Sequence, residues 1–555
     1  MLALLGIGVV AVLAIGYASY GKWVARQIGV DNSRVTPANK INDGEDFVPT
    51  KPFYLFGQHF SAIAAAGPIV GPILACQAWG WLPCLVWIAY GVVLIGAVHD
   101  FATLAASVRH GGSTIAEVTK NELGSGAGIA IRAFIWIALI YVIVAFTDIT
   151  AGTFVAGGQE LAGRPTDFHP GGAVAAAAVM YLTLSVVLGI VQRFLKPALW
   201  LATVIFVPAT LVVVWLGTKM STVLIADAQT WALIIVGYCC VASVAPVWLL
   251  LQPRGYLGGF VLMLALGLGI VGVLFGGYDI AQPAFAGFSA PNVGMMLPFL
   301  FVTIACGACS GFHGLVCSGT TSKQVDKEGH MHPVGYGGML AEGFVAFIAL
   351  VTIMIVAPAD VGTLKPGTIY GNGIGRFLTL IIGEQHMPFA ITFGAMAFST
   401  FVFDTLDMCL RLGRYLLQEL FGWKTKPGAA IATLLTAAVP TLFLLCSPAG
   451  SWRRFWIVFG ASNQLLAALT LLTITIWLYR ARRRIAFTLF PMLFVLAITL
   501  WSLLSIAAQS LETGTGIELI NAVVALVMVG LATFLVVRAL TTARAVSGST
   551  SKRRV

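Results

Sequence analysis

The sequence predicts an all-α, polytopic membrane protein, and three observations carry the prediction. Of 555 residues, 59% are hydrophobic and only 10% are charged, where a soluble domain would carry about a quarter charged residues. The mean hydropathy is +0.93. Apolar runs of about 20 residues, enough to cross a bilayer, recur along the whole chain. Lys and Arg gather in alternate loops, the pattern that reports membrane orientation. The formal charge of +10 does not point to nucleic acid, because that reading needs a basic face on a soluble domain.

The windows give about fifteen candidate spans: 1–20, 58–78, 81–108, 130–154, 171–191, 197–217, 230–251, 257–276, 294–318, 335–357, 388–410, 429–446, 455–478, 485–508 and 518–540. The first run has no basic start and no small-residue cleavage pattern, so it reads as a retained span. The loop at 21–57 carries Lys22, Arg26, Arg34, Lys40 and Lys51 and is expected to be cytoplasmic. Alternating from there assigns 26 of the 32 Lys and Arg to the cytoplasm. The six left outside are Arg164, Lys219, Lys365, Arg376, Arg453 and Arg454. The N-terminus is then outside and the Lys552-Arg553-Arg554 tail inside. The nine cysteines fall mostly within spans, which argues against a disulfide framework.

The span at 58–78 holds Gly67, Pro68, Gly71 and Pro72 at its centre. Each proline lacks an N–H and clashes with the carbonyl four residues back. The carbonyls of Ala64 and Pro68 are therefore expected to lose their helical partners. In hydrocarbon such groups are tolerated only beside protein, water or ligand, and a helix broken in mid-membrane points to a transporter's binding site. Five spans later, Ser243 and Pro246 interrupt 230–251 and free the carbonyl of Ala242. By the charge count the two spans run in opposite directions. That arrangement predicts a five-plus-five inverted repeat, 58–217 and 230–410. Residues 1–57 form a peripheral first helix and cytoplasmic loop, and 411–555 add four helices and a basic tail.

The span at 294–318 is rich in polar and small residues. The hydroxyls of Thr303, Ser310, Thr320 and Thr321, facing the carbonyl of Ala64, make an oxygen-rich set suited to Na⁺. His313 would instead carry a proton. Expected substrate contacts are Gly67, Pro68, Gly71, Ser243, Pro246, His59 and Asp148. Half-helix N-termini at the breaks suit a substrate carboxylate. Cys306, Cys309, His313 and Cys317 lie along one helical stripe, but three turns of rise keep them from sharing one ion, so no metal is assigned. His99-Asp100 reads as an interhelical hydrogen-bonding pair, and Asp407–Arg411 as an i,i+4 salt bridge. Asn463 and Gln464 are expected to bond neighbouring helices. Residues 358–387 read as the longest outer loop. No catalytic motif is present.

The segments KINDGEDFVPTKPFYLFGQHFSAIAAAGPIVGPILA, VWLLLQPRGYL, FLFVTIACGACSGFHGLVCSGTTSK, VGYGGMLAEGFVA, TLDMCLRLGRYLLQEL and FGASNQLLAAL together resemble the carbon starvation protein A family, over about residues 20–480. The chain departs from the family pattern at Gln58, His99 and Gly255. The resemblance implies a LeuT-like inner-membrane secondary transporter of the amino acid–polyamine–organocation type. Its implied activity is uptake of peptides or of a small carboxylate such as pyruvate, coupled to H⁺ or Na⁺, during carbon starvation. The implied partners are that small molecule and the lipid bilayer. A membrane-embedded enzyme would need a nucleophile beside a base. A receptor or scaffold would be marked by a soluble signalling domain.

Overall fold

The computed structural model describes residues 1–155 and 168–551, except 45, 65, 247, 291–292, 363, 424, 448–451 and 515. Arg164 and the Lys552-Arg553-Arg554 tail, both used in the charge count, lie outside the described residues. Among the described residues, twelve helices are long and apolar enough to cross a membrane. A thirteenth crossing is a pair, α2 (Pro52–Ile63) and α3 (Gly67–Trp79), bent by 47°.

The chain begins with α1 (Leu2–Ile28) and, after α2 and α3, continues with α4 (Trp81–Arg109), the short α5 (Ile115–Leu123) and α6 (Ser125–Phe154). Next come α7 (Pro170–Phe194), α8 (Leu199–Lys219), α9 (Ala228–Val244) and α10 (Leu251–Phe275). A small hairpin, β1 (Ser289–Ala290) with β2 (Gly294–Met295), precedes α11 (Met296–Thr303) and α12 (Gly311–Gly319). The chain closes with α13 (Glu328–Met354), α14 (Pro366–Ile382), α15 (Met387–Phe421), α16 (Lys426–Cys446), α17 (Trp452–Arg480), α18 (Ala486–Thr513) and α19 (Gly516–Ser551).

Three expectations are corrected here. The window 230–251 forms only the 17-residue α9, because Pro246 follows its end. The window 294–318 is two helices of 8 and 9 residues with an irregular stretch between them. The first was expected to be one span interrupted at Pro246 but ends at Val244, before that proline, and the second was expected to be continuous. The supposed outer loop contains the 17-residue α14. Its buried face, including Ile369, Tyr370, Ile374 and Phe377, packs on α15, α10 and α13.

Burial sorts the helices into core and rim. In their most apolar stretch α17, α15 and α13 are 94%, 89% and 83% buried, whereas α1, α8 and α16 are each 28% buried. The rim helices turn Leu, Ile, Val, Trp and Phe outward, as a lipid-facing surface requires. The core helices put polar groups inward, where partners can satisfy them.

The two ends of the bundle are distinct. At one end, Arg109 pairs with Glu328 at 3.0 Å, Arg480 with Glu122 at 2.9 Å and Arg132 with Glu419 at 2.9 Å. Arg538 donates to the carbonyl of Leu123 there. At the other end, Ala281 donates to Met354, Trp81 to Pro283 and Lys365 to Gly152. Both ends are reached by the same rods: α6 starts near Arg538 and ends near Lys365, and α13 starts near Arg109 and ends near Ala281. Local chemistry sets the joints. Thr114 caps α5 and Asp227 caps α9, side-chain oxygens accepting N–H groups that have no helical partner. Gly80, at φ +89°, makes the sharp turn from α3 to α4. A side chain there would also strike the carbonyls of Pro283 and Ala284, 2.8 and 2.7 Å from its first carbon.

Candidate functional site

Two broken helices meet at the centre of the molecule, and their segments pair half to half. α3 packs on α11, and α2 packs on α12. The break between α2 and α3 therefore faces the one at 304–310. Small residues permit the approach. A β-carbon on Gly71 would collide with the carbonyl oxygen of Thr303, and one on Gly67 with the side chain of Cys306. Gly307 lies close to Pro68. Pro68 occupies the first turn of α3, where its missing N–H costs nothing.

The backbone freed at the second break is satisfied by side chains. Trp87 Nε1 donates to the carbonyl of Ile304, Trp456 Nε1 to Thr303 and Gln464 Nε2 to Phe301. Asn463 Oδ1 accepts from the N–H of Phe312 at 2.9 Å, and its Nδ2 donates to Ser310 Oγ at 3.0 Å. The expectation for Asn463 and Gln464 holds, and their bonds are specific: through them α17 stitches the break. Replacing Asn463 with leucine should keep the volume but strand a buried N–H, a loss of about 1–3 kcal/mol. A lowered unfolding temperature in detergent would register it, and an unchanged one would contradict this role.

Below the breaks lies a chain of fully buried ionisable groups. His313, on α12, has Nδ1 2.9 Å from Asp100 Oδ2 on α4 and Nε2 2.9 Å from Glu342 Oε2 on α13. His99 Nδ1 lies 2.7 Å from the other Asp100 oxygen. The contact with Glu342 is not aligned as a hydrogen bond, so both Glu342 oxygens lack a hydrogen-bond partner among the described residues. His59, on α2, has Nδ1 2.9 Å from Thr321 Oγ1. Its Nε2 is buried without a partner among the described residues. Residues from four helices thus converge, each at most 1% exposed apart from Thr321 at 2%.

The expected coupling residues are distributed as follows. His313 and Thr321 belong to this chain. Ser310 is held by Asn463, and Thr320 is exposed and donates to its own helix at Val316. Thr303 Oγ1 is buried without a hydrogen-bond partner among the described residues, and Ala64 marks the end of α2. The Cys/His stripe does not exist as a stripe, because the break separates Cys306 and Cys309 from α12. His59, Asp100 and Cys317 do bring ligand atoms within 4.8 Å of one another. Both Asp100 oxygens are already engaged by imidazoles, so we assign no metal there.

Of the expected substrate contacts, Gly67, Pro68 and Gly71 lie at the crossing, and His59 lies in the ionisable chain. Asp148 is half-buried on α6. Ser243 is buried and Pro246 exposed, and α9 packs on α6, α15 and α16 rather than on the first broken helix. The carbonyl of Ala242 is not left free: Arg411 Nη2 donates to it at 2.7 Å and to Ala245 at 2.8 Å. The expected Asp407–Arg411 pair is corrected accordingly. Asp407 Oδ2 instead accepts from Arg254 Nη1 at 2.6 Å and Tyr238 OH at 2.9 Å. Arg254 Nε reaches Asp404 Oδ1 at 2.6 Å. Arg254 is fully buried and escaped the sequence reading, which placed it in a loop. Its signal was an arginine one residue past a proline, inside an almost uninterrupted apolar stretch.

The sequence profile described as "Carbon starvation protein CstA" matches residues 1–372 and 363–502. The chain belongs to the carbon starvation protein CstA family. Its relatives include "Peptide transporter CstA" of Campylobacter jejuni, 34% identical across 89% of this chain and 79% of that protein. "Peptide transporter CstA" of Bacillus subtilis is 33% identical across 87% of each. "Pyruvate/proton symporter BtsT" of Escherichia coli is 31% identical across 89% of this chain and 80% of that one. The family resemblance read from the motifs holds, and the chain is a membrane transporter. The quoted CstA motifs map onto the site: GQHF and AGPIVG build the first broken helix, CSGFHG the second, and FGASNQLL the stitch.

Proposed function

We propose that this CstA-family chain is a proton-driven symporter of the cell membrane that takes up peptides or a small carboxylate such as pyruvate. The observation that carries the reading is His313, buried between Asp100 and Glu342 where two broken helices cross. Imidazole is the side chain suited to gain and lose a proton near neutral pH, and buried ionisable groups in a membrane span mark proton relays. Na⁺ is the less favoured coupling ion, because the carbonyls of Phe301, Thr303 and Ile304 already accept from Gln464, Trp456 and Trp87.

Counting α2/α3, α9 and α11/α12 as crossings, with the twelve long helices, gives fifteen. This order leaves the N-terminus outside and the C-terminus in the cytoplasm of a bacterial inner membrane. The packing also favours a five-plus-five repeat with boundaries other than those expected from sequence. One unit comprises α2/α3, α4, α6, α9 and α10, with α7 and α8 inserted. The other comprises α11/α12, α13, α15, α16 and α17. Matching members make matching contacts: α3 packs on α13 as α12 packs on α4, and α9 and α16 each pack on the other, on α6 and on α15.

Uptake into proteoliposomes tests the coupling. Dialanine or pyruvate should accumulate when an inward proton gradient is imposed, with or without Na⁺, and a protonophore should collapse it. Accumulation that follows a Na⁺ gradient at equal pH would refute the proton assignment.

A further inference from the structure

The half-helices α2 and α12 are tied together outside the bundle, by the chain segments that continue them. Residues 31–51 lead directly into α2, and residues 320–327 lead directly out of α12. The two segments meet at the end of the bundle that carries Arg109. Thr50 pairs with Val325 as an isolated parallel β-bridge, and its N–H donates to the carbonyl of Gln324 at 3.0 Å. Lys323 Nζ lies 3.1 Å from Asp46 Oδ2 and 5.3 Å from the centre of the Phe47 ring. Asn39 Nδ2 donates to the carbonyl of Asp326 at 2.8 Å and to its carboxylate at 3.1 Å. Thr36 Oγ1 donates to the same carbonyl at 3.1 Å.

These bonds give the strap a fixed end and a loose one. At 28–32 it is fixed. Arg109, the last residue of α4, donates to the carbonyls of Ile28 and Gly29 and to both carboxylate oxygens of Glu328. Asp31 N–H donates to Glu328 at 2.9 Å, and Gly329 N–H to Asn32 Oδ1 at 2.7 Å. Glu328 is 2% exposed. At 39–50 the partners are solvated: Asn39 and Asp46 are exposed, and Lys323 and Thr50 are only partly buried. Exposed bonds of this kind each contribute little over hydrogen bonds to water, so this end can part from its seat bond by bond. The stitch by Asn463 at the break is buried and has no such freedom.

We infer that the contact of residues 36–50 with 323–326 is a latch. Closed, it holds α2 against α12; it opens for solute to leave on this side of the membrane. The inference rests on the transport reading and assigns the release step to named residues. The seam behind the latch carries the proton chain. His59 Nδ1 of α2 lies 2.9 Å from Thr321 Oγ1, and Cys317 of α12 has its sulfur within 4.8 Å of ligand atoms of His59 and Asp100. Parting α2 from α12 therefore uncovers His59 and Cys317 together, and gives proton and solute one exit.

Cys317 is 0% exposed in the latched state, which makes it a reporter. Purified full-length protein is treated with a water-soluble maleimide, and the labelled peptide is quantified by mass spectrometry; the exposed Cys446 calibrates the reagent. Asn39→Ala should label at Cys317 about fivefold faster than the wild type, the effect of about one net hydrogen bond. Lys40→Ala, an exposed neighbour in the same segment, should label at the wild-type rate. A β-bridge holds its two chains about 4.8 Å apart, within the span of a disulfide. Thr50→Cys with Val325→Cys, once oxidised, should abolish uptake into proteoliposomes and slow Cys317 labelling, and a reductant should restore both. Each single cysteine variant under the same oxidant should keep its uptake. Asn39→Ala requires no bridge and carries the test alone where the cysteines do not pair. Uptake by the bridged protein at the rate of the reduced one, no faster labelling in Asn39→Ala, or equally fast labelling in Lys40→Ala would each overturn the latch. Labelling needs neither solute nor gradient, so failure of the transport reading would leave that result standing.

Discussion

Replacing His313 with glutamine should abolish proton-driven accumulation while leaving substrate exchange across the membrane intact. With the membrane potential clamped and one proton moved per substrate, a gradient of one pH unit supports about tenfold accumulation. The variant should stop at equal concentrations on the two sides. The reason lies in what the imidazole does between Asp100 and Glu342. With a neutral His313, two carboxylates share a dry pocket, and a proton on the ring offsets part of that charge. Glutamine keeps two hydrogen-bonding groups at nearly the same reach but cannot take up the proton. Glu342→Gln is expected to act in the same direction, since it removes the carboxylate facing Nε2. Full accumulation by His313→Gln, at the wild-type ratio, would assign the proton to another group.

How far the sequence foretold this site follows from what each residue's neighbours reveal. Proline and glycine act locally, so the first break was legible at 58–78. The polar run of 294–318 marked His313 and Ser310 for the same reason. Asp100 was legible as an interhelical hydrogen-bonding group, but its meeting with Glu342 at His313 depends on packing among α4, α12 and α13, which no local pattern encodes. The second break was assigned to Pro246 because its spacing suited a repeat. The structure pairs the first break with 304–310 instead, where the interruption comes from Gly307 and its small neighbours and no proline is needed. Pro246 does end α9, and Arg411 covers the carbonyls it exposes. Arg254 was missed because a charged residue between two apolar windows reads as a loop until its partners on α15 are known.

Gly71→Val should eliminate transport and lower the stability of the protein, and the effect should depend on what each glycine faces. Gly71 has no positive φ, so alanine or valine could take up its backbone conformation without strain. Its constraint is contact. A β-carbon there would overlap the Thr303 carbonyl oxygen and sit 3.1 Å from Ile304 Cα. Both are main-chain atoms held by Trp456 and Trp87, so neither can swing aside. The two broken helices would have to separate, at the cost of about 1–3 kcal/mol that overpacking brings. Gly67 differs, because its β-carbon would meet chiefly the Cys306 side chain. Gly67→Ala should therefore be repaired by Cys306→Gly, whereas no side-chain removal should repair Gly71→Val. Gly57→Ala, on α2 with open space around it, should leave both measurements unchanged. Unfolding temperature and proton-driven uptake, measured together on the four variants, separate close approach of the backbones from mere tolerance of bulk. Wild-type uptake by Gly71→Val would mean that the crossing can loosen without consequence, and the transport site would then have to lie elsewhere.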